Sequence, residues 1–371
     1  MVELSATHMG DGLTAIGAFF RMSEEGVNFL NREWHKPHEP KIVWNKGRPR
    51  AKDRMWTAYS QVQQARRLLH SEARSWLRGT VPGAFSRRGV PQPLIDLLLL
   101  EKFDPTRESA TSEFSSALRA LGIMDHSYHR KSEDFPALLL DEIEKDLAPD
   151  LDESTWTLWG SRQCVISSLS SLDTYGGPNA RGVANCLSDS IGATLTFLAL
   201  SRYLEAVQHR FSGLRDEARM RHGKFSARRL KKVRESFLSL SMDLSSAVRD
   251  VEAFHAASSR FHRIPKIMLE EATWLRDQAN VSGDSRFPID VTQRIMESQK
   301  ETVAELAAED KDYRDIISAV ASLGATIDTF KLGRLALWVS LISLVVSMIA
   351  LSLAEVKDDT LLSHLFEILA R

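Results

Sequence analysis

Cysteine is nearly absent from this chain: two in 371 residues, Cys164 and Cys186. They lack C-x-x-C spacing, and two thiols are too few for a disulfide framework, so a reducing compartment fits. Charge of one sign is also missing. Lys and Arg number 48 against 49 Asp and Glu, for a net charge of −1. That balance gives no global pull toward nucleic acid or acidic lipid. Catalytic signatures are missing as well. There is no G-x-S-x-G, no phosphate-binding P-loop and no H-E-x-x-H, and no motif pairs two carboxylates. An enzyme is therefore the lowest-ranked class, and no cofactor and no metal is expected. Internal repeats and low-complexity segments are absent too. The start, Met-Val-Glu-Leu-Ser-Ala-Thr-His, has no basic region, and the apolar stretch after it is broken by Gly10, Asp11 and Gly12. It does not read as a secretory signal, so residues 1–330 are expected to stay in the cytoplasm.

Long apolar runs are scarce, with one exception. Residues 335–354 run 20 residues without a charge. At about 1.5 Å per residue such a helix spans the roughly 30 Å hydrocarbon core of a bilayer. The expectation is a single-pass C-terminal anchor with its N-terminal body in the cytoplasm. Lys331 and Arg334 precede the run while Lys357 and Arg371 follow it, so charge bias does not set orientation. The rest looks like globular material, and 8 Trp predict large buried anchors.

The fold class expected is mainly α. A mixed α/β N-terminal part covers 1–150, a helical domain 151–288, a stalk helix 289–334, the membrane helix 335–354 and a short amphipathic tail 355–371. Helices are predicted at 13–30, 55–78, 111–121, 135–147 and 185–211, with a short edge strand at Lys41–Trp44. Pro93–Leu100 is apolar except for Asp96 and reads as a buried strand or a short helix, which periodicity cannot separate at that length. The acidic stretch 148–155 reads as a boundary. Leu230, Val233, Phe237, Leu240, Leu244, Ala247, Val251 and Phe254 alternate spacings of three and four, the mark of a packed helix or coiled coil. From Ile289 one helix is predicted through to 354, roughly 95 Å at 1.5 Å per residue.

A second stripe runs into the membrane segment. Ala319, Ser322, Thr326, Thr329, Gly333, Ala336, Ser340, Ser343, Ser347, Ala350 and Ala354 are all small and alternate three and four. A 3.5-residue period holds such a line on one side of a supercoiled helix. In lipid, small residues allow close backbone approach and Ser hydroxyls bond across helices. A homo-oligomer is expected. The stripe reads as its packing seam, as a line facing a pore, where rings of hydroxyls make a polar lumen, or as part of a plain anchor in which the small residues carry no meaning. Leu361, Leu362, Leu365, Phe366, Ile368 and Leu369 crowd the tail, which is too short to span and reads as interfacial.

Other candidates are weaker. His35 and His38 sit in a Pro-bounded loop. His126 and His129, with Asp125, have one-turn spacing suited to half a zinc site, but no further Cys or His lies near. His255 and His262 read as structural, and Gly176-Gly177-Pro178-Asn179 as a turn. Nine basic residues fall between Arg215 and Arg234. Within them Arg228, Arg229, Lys231 and Lys232 form an anion-binding candidate for lipid head groups, a nucleotide signal or an acidic partner, against a bland reading as a solvated face. Lys41, Lys46, Arg48, Arg50, Lys52 and Arg54, interleaved with Trp44 and Trp56, make a second basic patch, but no nucleic-acid module is recognisable.

The layout of a mixed domain, helices and one long helix entering the membrane looks like that of the CorA-type divalent-cation channels, over 226–354. That family ends its first membrane helix with Gly-Met-Asn and adds a second span. Here the helix ends Ile349-Ala350-Leu351-Ser352-Leu353-Ala354 without the triplet or the second span, so magnesium selectivity carries over to no residue. The layout equally suits single-pass bacterial effectors. The functional expectation is ion passage or membrane perturbation governed by the body, with a single-pass scaffold or signalling receptor as its rival.

Overall fold

Two antiparallel hairpins flank one helix in the first 52 residues. In the computed structural model β1 (Val2–His8) and β2 (Thr14–Phe20) form an antiparallel hairpin, Val2 opposite Phe20 and His8 opposite Thr14. The helix predicted over 13–30 is thus corrected. Thr14, Ile16, Phe19 and Phe20 favour a pleated surface. The helix α1 (Glu24–His35) begins only after Ser23, whose hydroxyl accepts from the Gly26 N–H. A second hairpin follows, β3 (Lys41–Asn45) against β4 (Arg48–Lys52), where the short strand was expected. The structure describes residues 2–45, 47–106, 112–123, 127–142, 155–220, 227–256, 264–272, 287–353, 355–356, 359–360 and 368.

Asp53 caps α2 (Arg54–Thr80) by accepting from the Trp56 N–H at 2.6 Å. Then come α3 (Ala84–Arg88), β5 (Leu94–Leu100), α4 (Ser112–Ala120), β6 (Tyr128–Ser132), β7 (Leu139–Glu142) and β8 (Thr155–Ser161). After them run α5 (Arg162–Ser168), α6 (Ala180–Cys186), α7 (Ser188–Met220), α8 (Ala227–Ala256), β9 (Ile267–Glu271), β10 (Ile289–Asp290) and α9 (Val291–Leu353). The ambiguous 93–100 stretch is a strand. The helix expected at 135–147 is instead β7, because Leu138, Leu139 and Leu140 are buried on both faces of a sheet. Such a run shows no period to tell helix from strand.

Strand order in the central sheet is β5-β8-β7, with β5 and β8 parallel and β7 antiparallel to β8. Both faces are covered. Leu140 and Leu158 are cross-strand partners packed with Val165, Leu172, Val183 and Leu187. Their neighbours Leu139 and Trp159, also partners, pack on the other side with Val62, Phe103, Leu118 and Leu121. A second sheet orders β10-β9-β6, all antiparallel. A third core joins helices: Phe197, Leu200 and Leu204 of α7, Val251 and Phe254 of α8, and Val303 of α9. The described part of the heptad stripe, Leu240, Leu244, Ala247, Val251 and Phe254, is buried within this chain. It is a packed helix, consumed internally from Leu240 onward.

Two compact units result, Met1–Ala307 and Ala308–Arg371. The first carries all three cores. The second holds the C-terminal part of α9 and a short pair of strands, β11 (Glu355–Val356) and β12 (Asp359–Thr360). Residues 143–154, which hold the end of the helix expected at 135–147 and all but Thr155 of the boundary expected at 148–155, and most of the amphipathic tail lie outside the described residues.

Candidate functional site

Among the described residues one helical window, Gly333–Ala350, is by itself long and apolar enough to cross a membrane, and none of it is buried. Leu337 is 70% exposed, Met348 60% and Trp338 59%. In water so large a contiguous apolar surface marks an interaction site or a membrane contact. A second stretch, Ala180–Cys186 with Ser188–Asp216, passes the same test only if joined across a 59° bend. Its apolar side chains, Val183, Leu187, Ile191, Phe197, Leu200 and Leu204, are buried core.

Gly333, Ala336, Ser340, Ser343, Ser347 and Ala350 all lie on the exposed window of α9, and a Cβ at Gly333 would meet nothing within 4 Å. On a straight helix turning about 100° per residue these six fall within an arc of about 100°. The remaining circumference carries Leu335, Leu337, Trp338, Val339, Leu341, Ile342, Leu344, Val345, Val346, Met348 and Ile349, each exposed. Among the described residues the stripe therefore stays exposed over this window. Ala354 lies outside the described residues. For Ser322, Thr326 and Thr329 the helix is described but not the side chains.

Three buried polar clusters organise the first unit. In the first, α2 lays Arg66, His70 and Arg74 along β5 and β8. Arg66 donates to Asp96 at 2.6 Å, to Thr157 at 2.7 Å and to the Leu121 carbonyl at 2.7 Å, and His70 Nε2 lies 3.1 Å from the same carboxylate. Arg74 reaches the Gln92 carbonyl and the Thr155 hydroxyl. Burial by itself would raise the Asp96 carboxyl, but Arg66 and His70 more than reverse this and hold it below the ordinary carboxylate range. A carboxylate held so low is a weak base at neutral pH. Its chemistry is that of an ion pair fixing α2 to the sheet, not a proton acceptor. Sequence reading passed over this cluster, although a lone carboxylate in an apolar strand and polar residues at 63, 66, 70 and 74 were its signal.

In the second cluster, Asp250 of α8 accepts three backbone N–H groups from the β1–β2 turn: Asp11 at 3.2 Å, Gly12 at 2.8 Å and Leu13 at 2.5 Å. The two glycines that broke the apolar start now have a reason. A Cβ on Gly10 would stand 2.3 Å from Asp250 Oδ1, and one on Gly12 2.9 Å from Ser246 Cβ. In the third, His255 Nε2 lies 2.7 Å from Gln299 Oε1, and Gln299 donates to the Phe197 carbonyl and the Ser201 hydroxyl. This links α8, α9 and α7. Burial pushes the His255 ring below its usual range, Lys300 adds to this, and the Gln299 bond opposes it.

The remaining candidates scatter. His35 Nδ1 bonds the Asn31 carbonyl and His38 Nδ1 bonds Gln61. His129 is buried in β6, while Asp125, His126 and His262 lie outside the described residues. Among the described residues no three His, Cys, Asp or Glu converge as a metal site would require. Arg228, Arg229, Lys231 and Lys232 belong to α8, but their side chains are not described. The Trp expectation is corrected in part: Trp159 is fully buried, whereas Trp44 is 71% exposed. Comparison with protein-family models, with curated proteins and with solved structures finds no match for this chain.

Proposed function

We propose that this protein is a single-pass, membrane-anchored homo-oligomer whose N-terminal body, on the cytoplasmic side, governs ion passage or membrane perturbation through its C-terminal helix. One observation carries the reading. A single 63-residue helix, α9, is a core element at its start, through Val303 and Leu306, and a fully exposed apolar span near its end. Packing that changes at the first part of a stiff helix has a direct route to the second. Small residues on one face of the span suit close approach of copies, with Ser340, Ser343 and Ser347 as the hydroxyl-bearing positions. An anionic ligand or acidic partner at Arg228, Arg229, Lys231 and Lys232 would act on α8, which shares a core with α9.

The test is current across planar bilayers holding the purified full chain. Discrete conductance steps are expected. Replacing Ser340, Ser343 and Ser347 with Leu keeps the span apolar but fills the close-approach face, so cross-linked oligomers and current should both fall. Silence under every ligand condition, beside a stable stoichiometric partner, would assign a membrane scaffold or receptor instead.

A further inference from the structure

The β3–β4 hairpin gathers its cations on one face, where Val43 is the only apolar residue. Directly opposed residues of an antiparallel pair share a face, and successive residues alternate. Ile42 pairs with Ala51 and Trp44 with Pro49, so one face is wholly apolar. Lys41 pairs with Lys52, Val43 with Arg50 and Asn45 with Arg48, so the other face carries four cations. No carboxylate occurs between Lys41 and Lys52. The apolar face is uncovered, with Ile42 70% and Trp44 71% exposed.

The other hairpin is anchored at its turn end, although Val2, Leu4 and Ile16 remain exposed. β1–β2 has its turn clasped by Asp250, and Leu13 and Ala15 reach a helical core. A lone two-stranded sheet gains little by itself in water, so leaving Ile42 and Trp44 open leaves the hairpin's main source of stability unused.

We propose that the apolar face of this hairpin docks into the interface of an anionic lipid bilayer. The pattern is that of an interfacial amphipathic element: Trp and Ile on one face, Lys and Arg on the other, lying in the interface plane with the long cationic side chains reaching the phosphates. Indole favours the headgroup depth. Charge complementarity selects the occupant, since the twelve residues 41–52 carry five cations, Lys41, Lys46, Arg48, Arg50 and Lys52, and no carboxylate in their sequence. Single-stranded nucleic acid fits less well. It needs phosphate contacts and a stacking ring on one surface, whereas Trp44 lies on the face without cations. The inference rests on the membrane reading above only for bringing a bilayer near.

The test places a photo-crosslinking benzoylphenylalanine in the full chain at one position at a time: Ile42, Arg50 or Leu337. Each protein is reconstituted in phosphatidylcholine vesicles with and without phosphatidylserine, and adducts are identified by mass. The expected result is lipid adducts at 42, several-fold fewer at 50, and a higher yield at 42 with phosphatidylserine. Neutralising Lys41, Arg48, Arg50 and Lys52 to Gln should lower the yield at 42 on anionic vesicles by about tenfold or more, since each cation near such a surface contributes about a factor of five. Position 42 is exposed, so the substitution spares the core. Lipid adducts at 337 without any at 42 overturn the docking inference and leave the anchor intact. Absence of adducts at 337 overturns the anchor reading, whatever position 42 reports. Adducts at 42 to RNA in a challenged sample, or to a second copy of the chain, overturn the lipid assignment.

Discussion

Among the described residues one stretch has the length and apolar content of a membrane span and a second has them only when joined across a 59° bend, and the two meet opposite fates. Ala180–Asp216, in α6 and α7, is core. Gly333–Ala350 of α9 is exposed throughout. Apolar content alone does not separate them; what does is where the polar groups fall. Along α7, Arg202 pairs with Glu142 at 3.2 Å and with Glu205 at 2.8 Å, on a flank left to solvent and to the sheet edge. Its apolar residues face a partner on every turn. Gly333–Ala350 carries only Arg334 as a charge, at its edge, and its other polar groups are the three Ser of one stripe. A helix apolar on nearly all sides must be covered by protein or by lipid, and none of this window is buried among the described residues.

That contrast breaks most sharply at Phe197. Its side chain is fully buried among Leu200, Leu204, Val251, Phe254 and Val303. Phe197→Ala should cost about 3–5 kcal/mol of stability in chemical denaturation of the full chain. Resistance of the protein to alkaline extraction from membranes should stay as it was. The reciprocal change is Ile342→Arg, near the middle of the exposed window. A charge at a span's centre costs about 3 kcal/mol of insertion. We expect loss of extraction resistance with an unchanged melting temperature. If instead Ile342→Arg lowers the melting temperature and membrane attachment persists, the window is covered by protein. Smaller again is Asp250→Ala, which strands three backbone N–H groups. Asp11 and Gly12 are exposed and recover water, so about 2–3 kcal/mol is expected. Asp250→Asn should lose less, because its amide oxygen still accepts.

The same contrast explains how much could be read from sequence. The exposed apolar window of α9 was legible because its length and its lack of charge are one-dimensional properties. The stripe from Leu240 to Phe254 was legible because α8 is buried along one face, which imposes a period. Leu138 to Leu140 and Thr14 to Phe20 were misread. The first is buried on both faces and has no period; the second is a hairpin strand whose partner, Val2–His8, is itself mostly exposed. The Asp96 cluster eluded the sequence because it depends on pairing Leu94–Leu100 with Thr155–Ser161, sixty residues apart and parallel. The Asp250 clasp spans 238 positions to Gly12. Gly10 and Gly12 were visible as breaks in an apolar stretch, but what pressed against them was not.

The smallest effect concerns the seam through which α9 enters the core. His255 bonds Gln299 through Nε2, while its Nδ1 is buried with no hydrogen-bond partner among the described residues. A proton on Nδ1 would thus be a buried, unpaired charge, and burial is the leading reason the ring titrates below its usual value. The sign follows from linkage. The folded chain binds this proton less readily than the unfolded chain, whose His titrates near about 6.5. The contribution is complete above about pH 6.5 and is lost as pH falls through the lower folded-state value. Asp96 acts in the same direction but in a more acidic window, since its carboxyl is held below the ordinary range. Melting temperature between about pH 7 and pH 5 should therefore fall more steeply in the wild type than in His255→Gln, which still bonds but does not titrate. A parallel decline in both proteins would show that His255 contributes no pH dependence to the α8–α9 contact, and that acid acts on this body through other groups.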